Sequence, residues 1–139
     1  MYPLNVTPGE IAVRARGVFA KWPQVRVAIL FGSLARGAGR PDSDVDIAID
    51  APEIDFLALG AELGSVLDRL VDVVPLAQAS IPLYEHLVRD GVVIHEGAPG
   101  AGALWRSRTL AMLETDRPWF DRMSKAWLAR VASKGLTRG

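Results

Sequence analysis

The chain is 139 residues long, enough for one domain, and half of it is hydrophobic, so a sizeable core can form and general disorder is excluded. It has no cysteine, which removes disulfides, thiolate metal sites and a cysteine nucleophile. The formal net charge is zero but unevenly spread: residues 1–103 hold 8 Lys/Arg and 13 Asp/Glu, while residues 104–139 hold 8 and 3.

An acidic body suits cations, and a basic tail is either a solvated helix or a surface for an acidic partner. No apolar run approaches the roughly 20 residues that span a bilayer. The opening Met1-Tyr2-Pro3-Leu4-Asn5 lacks the basic and apolar regions of a signal peptide. A cytoplasmic location and no membrane association are therefore expected.

Thr7-Pro8-Gly9-Glu10 offers an N-cap, a proline at the first helical position and a capping-box glutamate, so a helix is predicted from Pro8 to Lys21. Val25 to Phe31 is a β-branched run that reads as a buried strand ended by Gly32-Ser33. Ser33 to Arg36 predicts a short helix or turn before the Gly- and Pro-rich stretch Gly37 to Pro41. Val45 to Asp50 alternates and predicts a second strand. Pro52 to Leu70 has helical spacing, with Phe56, Leu59, Leu63, Val66, Leu67 and Leu70 on one face.

Val71-Asp72-Val73-Val74-Pro75 predicts a third strand, stopped or placed at an edge by Pro75. Pro82 to Asp90 predicts a helix capped by Gly91, then Val92 to His95 a fourth strand. After the loop Pro99 to Gly102, the spacing predicts helix from Ala103 to Lys134, kinked or divided at Pro118. The order predicts an α/β or α+β domain with a small mixed sheet flanked by helices and a C-terminal helical arm. The boundary is expected near residue 98, giving a domain over 1–98 and a helical extension over 99–139.

The chemistry concentrates between residues 32 and 47. On a strand, Asp44 and Asp46 point to the same face, while Val45, Ile47 and Ile49 point the other way into the core. Two adjacent carboxylates on a half-buried face repel unless a cation lies between them, and oxygen ligands favour Mg²⁺ or Mn²⁺. Asp72, alone in an apolar strand, completes the cluster if its strand neighbours the second one. Three such carboxylates suit a pair of ions roughly 3.5–4 Å apart, as used in phosphoryl or nucleotidyl transfer. Asp72 can also act as the base. Gly32-Ser33 stands where a strand ends, so free backbone N–H groups and the Ser33 hydroxyl can hold a phosphate. Arg36 lies one turn on and can steady the phosphates, with Arg40 a second candidate of the same kind. Each element alone is commonplace, Asp-x-Asp being frequent at solvated strand ends; it is the combination at this spacing that points to catalysis.

Gly32-Ser33, ten intervening residues, and Asp44-Val45-Asp46 resemble the signature of the DNA polymerase β-like nucleotidyltransferase superfamily. Ala35-Arg36-Gly37, Ser43 to Ile47 and the short length resemble its minimal nucleotidyltransferase branch. The likeness covers residues 11 to 96 in pattern. It implies that Asp44, Asp46 and Asp72 are catalytic and bind two Mg²⁺ ions, and that Gly32 and Ser33, with Arg36 nearby, bind the triphosphate of ATP. Members of this branch commonly act as antitoxins, transferring AMP to a tyrosine of a HEPN-domain ribonuclease toxin, which the transfer silences. The resemblance thus implies an adenylyltransferase with ATP and a HEPN toxin as partners.

Two other readings stay open. The acceptor could be a tRNA 3′ end or a small molecule. The basic tail favours RNA slightly, yet the body shows no basic patch interleaved with aromatics, so direct nucleic-acid binding is not expected. Alternatively the protein neutralises a toxin by contact alone. His86 and His95 lack ligand-spaced partners and read as structural. Trp105, Trp119 and Trp127, with Met112, Leu113 and Met123, form a loose apolar stripe suited to core packing or to a partner. Tyr2 and Tyr84 are conceivable self-modification sites that nothing in the sequence favours.

Overall fold

The fold is seen in a computed structural model that describes residues 7–37 and 43–134. Its elements are α1 (Pro8–Ala20), β1 (Val27–Phe31), β2 (Val45–Asp50), α2 (Phe56–Leu67), β3 (Val71–Pro75), α3 (Ile81–Asp90), β4 (Val92–Glu96) and α4 (Ala101–Lys134), with a 3-10 turn over Leu76–Gln78. The order of elements is the expected one. Several boundaries differ from the sequence reading, for local reasons.

Thr7 caps α1 as expected, its hydroxyl accepting the Glu10 N–H at 3.1 Å. The second long helix begins at Phe56 rather than Pro52, because the Asp55 carboxylate accepts the Ala58 N–H at 3.0 Å and sets the start there. It ends at Leu67, since Asp68 turns left-handed (φ 53°). Val66 and Leu70, expected on its buried face, are therefore exposed, while Leu59, Leu63 and Leu67 are buried. Ser80 caps α3. Gly91 follows that helix in an extended rather than left-handed conformation. Glycine is needed there for space: a Cβ would come within 2.4 Å of the Leu87 carbonyl and 2.7 Å of Ile29. Pro118 neither ends nor divides α4, which runs as one helix of 34 residues, roughly 50 Å long.

The strands form one mixed sheet in the order β3-β2-β1-β4. β1 runs antiparallel to β2 and β4, and β2 runs parallel to β3. Pro75 ends the outer strand β3, where a missing N–H matters least. Helices cover both faces. On one, Ala28, Leu30, Val45, Ile47 and Ile49 pack against Ile11, Ala15 and Phe19 of α1 and Leu59, Leu63 and Leu67 of α2. Burying each of the larger side chains is worth about 1.5–3 kcal/mol. The Trp22 indole donates to Glu62 at 2.9 Å and Lys21 pairs with the same carboxylate at 2.7 Å, tying the end of α1 to α2.

On the other face Val27, Ile29 and Ala48 pack against Leu76 and Leu87, with Ala101 and Trp105 of α4 closing over them. Thr109 is also buried. From Glu114 onward the described side chains of α4 are exposed, Asp121 apart. No helix of the described residues is long and apolar enough to cross a membrane.

Candidate active site

The period of β2 places the first carboxylate. Val45, Ile47 and Ile49 are buried against α1 and α2, so Asp46 and Ala48 project to the opposite face. Ala48 is sealed there by Leu76 and Leu87, whereas Asp46, near the start of the strand, is only partly covered. The register supplies its neighbours: Asp46 lies opposite Phe31 of β1 on one side and opposite Asp72 of β3 on the other. The condition for Asp72 to join the cluster, that β3 lie beside β2, is met. Parallel partners in register share a face, so both carboxylates stand on the same side of the sheet. Asp44, just before β2, is exposed and adds its charge to theirs.

Partial burial and then the charges of Asp72 and Asp44 push the Asp46 carboxyl above its ordinary range. The arrangement disfavours a bare anion and favours a cation beside it.

Gly32 follows Phe31 at φ 82°, and a Cβ there would lie 2.5 Å from Asp46 Oδ2. Glycine is thus required twice: for the left-handed backbone and for the approach of the turn to the carboxylate. Residues 33–37 form turns rather than a short helix, with the Arg36 N–H donating to the Gly32 carbonyl at 3.4 Å and the Gly37 N–H to Leu34 at 3.3 Å. Leu34 is buried and anchors the turn, and Ser33 beside it is half-buried. Arg36 is exposed. Among the described residues, no hydrogen bond or ion pair joins its guanidinium to Asp44, Asp46 or Asp72. Arg40 lies outside the described residues, as does Tyr2.

Divalent cations fit this donor set. Three carboxylates and no softer ligand suit a hard cation, and the raised Asp46 marks where positive charge is wanted. Among the described residues no three His, Cys, Asp or Glu side chains are drawn close enough to hold an ion as they stand.

Arg69, which the sequence did not single out, donates to the Ser43 carbonyl at 3.1 Å, and the Val45 N–H donates to the Leu70 carbonyl at 2.9 Å. These two bonds hold the chain entering β2 on either side of Asp44. The contact spans 26 residues, so no local pattern announces it. His95 stacks on Phe19 with ring centroids 4.5 Å apart, and His86 meets Phe31 edge-on and Asp90 at 3.4 Å. The Tyr84 hydroxyl donates to the Leu76 carbonyl, which gives that residue a structural role. Of the apolar stripe in α4, Trp105 packs in the core and Trp127 is exposed, while the side chains of Trp119 and Met123 lie outside those described.

Residues 15–99 match the model of the polymerase β nucleotidyltransferase family. The protein adenylyltransferase MntA of Shewanella oneidensis is 33% identical over 96 residues, which span 66% of this chain and 68% of that protein. Among solved structures, a toxin–antitoxin with AMP-PNP superposes with a TM-score of 0.64 at 25% identity, covering 81% of this chain and 98% of that one. A variant of the toxin–antitoxin MntA–HpeT superposes with a TM-score of 0.57 at 28% identity, covering 83% and 95%.

Proposed function

The chain belongs to the polymerase β nucleotidyltransferase family, and from that premise we propose that it is a protein adenylyltransferase that moves AMP from ATP to a tyrosine hydroxyl of a HEPN-domain toxin, and so acts as an antitoxin. One observation carries this reading: β-sheet register sets Asp46 between the Gly32 turn that follows β1 and Asp72 of β3. The relative named an adenylyltransferase and the AMP-PNP-bound toxin–antitoxin support both the nucleotide and the kind of partner.

In this reading the N–H groups of the Gly32 turn and the Ser33 hydroxyl hold the triphosphate, with Arg36 reaching it from the exposed side of the same turn. Asp44, Asp46 and Asp72 would hold two Mg²⁺ ions, which when bound neutralise the triphosphate and lower the pKa of the attacking hydroxyl. The acceptor oxygen attacks the α-phosphorus of ATP and the bond to the bridging oxygen of pyrophosphate breaks. The hydroxyl proton passes to the Asp72 carboxylate, and pyrophosphate leaves with the displaced electron pair. Arg69 keeps Asp44 in place through Ser43. Residues 1–98 serve as the catalytic domain and 99–139 as a helical extension. The protein works in the cytoplasm, where ATP and Mg²⁺ are at hand.

The test is intact-mass spectrometry of the candidate HEPN protein after incubation with this chain, ATP and Mg²⁺. The expected result is a gain of AMP on that protein, abolished by EDTA and reduced about a thousandfold in rate by Asp44→Asn, as removing metal-borne charge stabilisation of several kcal/mol requires. Neutralisation that survives Asp44→Asn without any AMP transfer would instead establish inhibition by contact.

A further inference from the structure

On the face of β2 that carries Asp46, Ala48 and Asp50 follow in turn toward the far end of the strand. Leu76 and Leu87 seal Ala48. Asp50 therefore lies apart from the carboxylate cluster, about 13 Å along the strand from Asp46. A cavity of about 300 Å³ opens at that end, between the sheet and the first turns of α4. A smaller one of about 130 Å³ adjoins it and shares Arg26, Asp50, Trp105 and Arg108.

The polar groups of this lining are unequally satisfied. Asp50 is the only acid among the described residues that line it, and Arg26 takes both its oxygens, at 3.0 and 3.4 Å. The Tyr84 hydroxyl is engaged by the Leu76 carbonyl. Two groups are left over. Among the described residues, the exposed Arg108 has no ion-pair or hydrogen-bond partner. Thr109 beside it is only 6% exposed, and its hydroxyl bonds to none of the described residues, although its oxygen is not closed off. A hydroxyl so buried calls for a partner. An unpaired guanidinium lining the same space narrows the choice to an anionic oxygen, to which both groups can donate. With Arg26 neutralising Asp50, Arg108 leaves the lining one net positive charge.

The rest of the lining selects the body of the ligand. Trp105, Tyr84, Leu76 and Met112 present aromatic and aliphatic carbon, which suits a flat apolar ring system. The volume lies at the lower end of the range for small-molecule sites.

We propose that this cavity binds a small flat molecule ending in a carboxylate or phosphate, its anionic oxygens held by Arg108 and Thr109 and its ring lying on Trp105. The site is separate from the carboxylate cluster and does not depend on the adenylyltransferase reading.

The test is titration of the full chain, in EDTA, with naphthyl phosphate and with naphthoate, followed by the indole N–H signals in NMR spectra and assigned with Trp105→Phe. The expected result is a saturable shift of the Trp105 signal with at least one of the two. The signal of Trp22, which is tied to Glu62 on the other side of the sheet, stays in place as a check on the fold. Naphthol, which lacks the anion, should bind at least about tenfold more weakly, and Arg108→Gln at its exposed position should weaken the anion by about tenfold as well, the loss of one charge-assisted contact. Thr109→Val, which keeps the shape and removes the hydroxyl, should weaken it by about threefold or more. The tighter of the two anions names the head group. A Kd unchanged in Arg108→Gln, or equal for naphthol and the anions, would overturn the proposal and leave only an apolar crevice. So would the absence of a saturable shift with either anion.

Discussion

At the scale of single residues the site depends on a glycine as much as on carboxylates. Gly32 and Gly37 both have positive φ, at 82° and 74°. A Cβ on Gly37 would meet nothing within 4 Å, whereas one on Gly32 would drive into Asp46. The pair separates backbone strain from disruption of the site. Gly32→Ala and Gly37→Ala should each cost about 1–2 kcal/mol of stability for a left-handed alanine, measured by urea unfolding. Only Gly32→Ala should also displace the Asp46 carboxylate, lowering the rate of AMP transfer well beyond what the lost stability explains. Equal losses of transfer in the two variants would mean that the turn matters only as a turn. The motif itself was legible from sequence, because glycine, serine and two aspartates at fixed spacing leave few other chemistries. The contact between Gly32 and Asp46 was not, since it depends on how two strands line up.

At the scale of elements, long-range register decided what sequence could not. Alternation in Val45 to Asp50 assigned the α1/α2 face correctly, because Asp46, Ala48 and Asp50 fall between the larger apolar residues Val45, Ile47 and Ile49. Whether β3 lies beside β2 was a condition and not a deduction, as parallel pairing leaves no hairpin signal. The start of α2 was misplaced because periodicity ignores caps, and Asp55 outweighs the apolar and acidic residues before it.

Packing between elements also carries a pH dependence. His95 joins β4 to α1 by stacking on Phe19, with an interplanar angle of 12°. Burial lowers its pKa below the ordinary value of 6.5, a hydrogen bond to the Val25 backbone and the charge of Glu96 only partly offsetting this. The folded state therefore binds a proton less readily than the unfolded chain, so this group's effect on stability is absent above pH 6.5. Stability falls as pH drops from there toward the lower folded pKa, because the unfolded state protonates first. Thermal midpoints from pH 7 to pH 5 should show that decline, and His95→Phe, which keeps a ring against Phe19, should flatten it. An identical slope in the variant would assign the decline to other groups.

At the scale of the whole molecule, α4 divides into a packed part and a projecting part. Ala101, Trp105 and Thr109 belong to the body, closing the sheet face that α3 leaves open. Beyond Glu114 the described side chains are largely exposed, with Trp127 and Leu128 at 56% and 58%. A projecting helix of this kind adds little to the core, since exposed positions away from packed features change stability by only about 0.5 kcal/mol either way. Ending the chain after Arg117 should therefore shift the melting midpoint by no more than about 4 °C. Nucleotide binding should persist, because Gly32, Ser33 and the three aspartates lie elsewhere.

The charge of the arm gives the truncation a second readout. Residues 118–139, which the truncation removes, carry 5 basic side chains and 1 acidic one against an acidic remainder, so much of the chain's attraction for an acidic surface resides there. If the arm helps hold a partner, its removal should weaken the complex with the HEPN protein and flatten the dependence of that affinity on salt. AMP transfer at saturating acceptor would stay near its full rate. A large loss of melting midpoint would instead assign the outer turns to the fold, through contacts that the exposed side chains do not reveal.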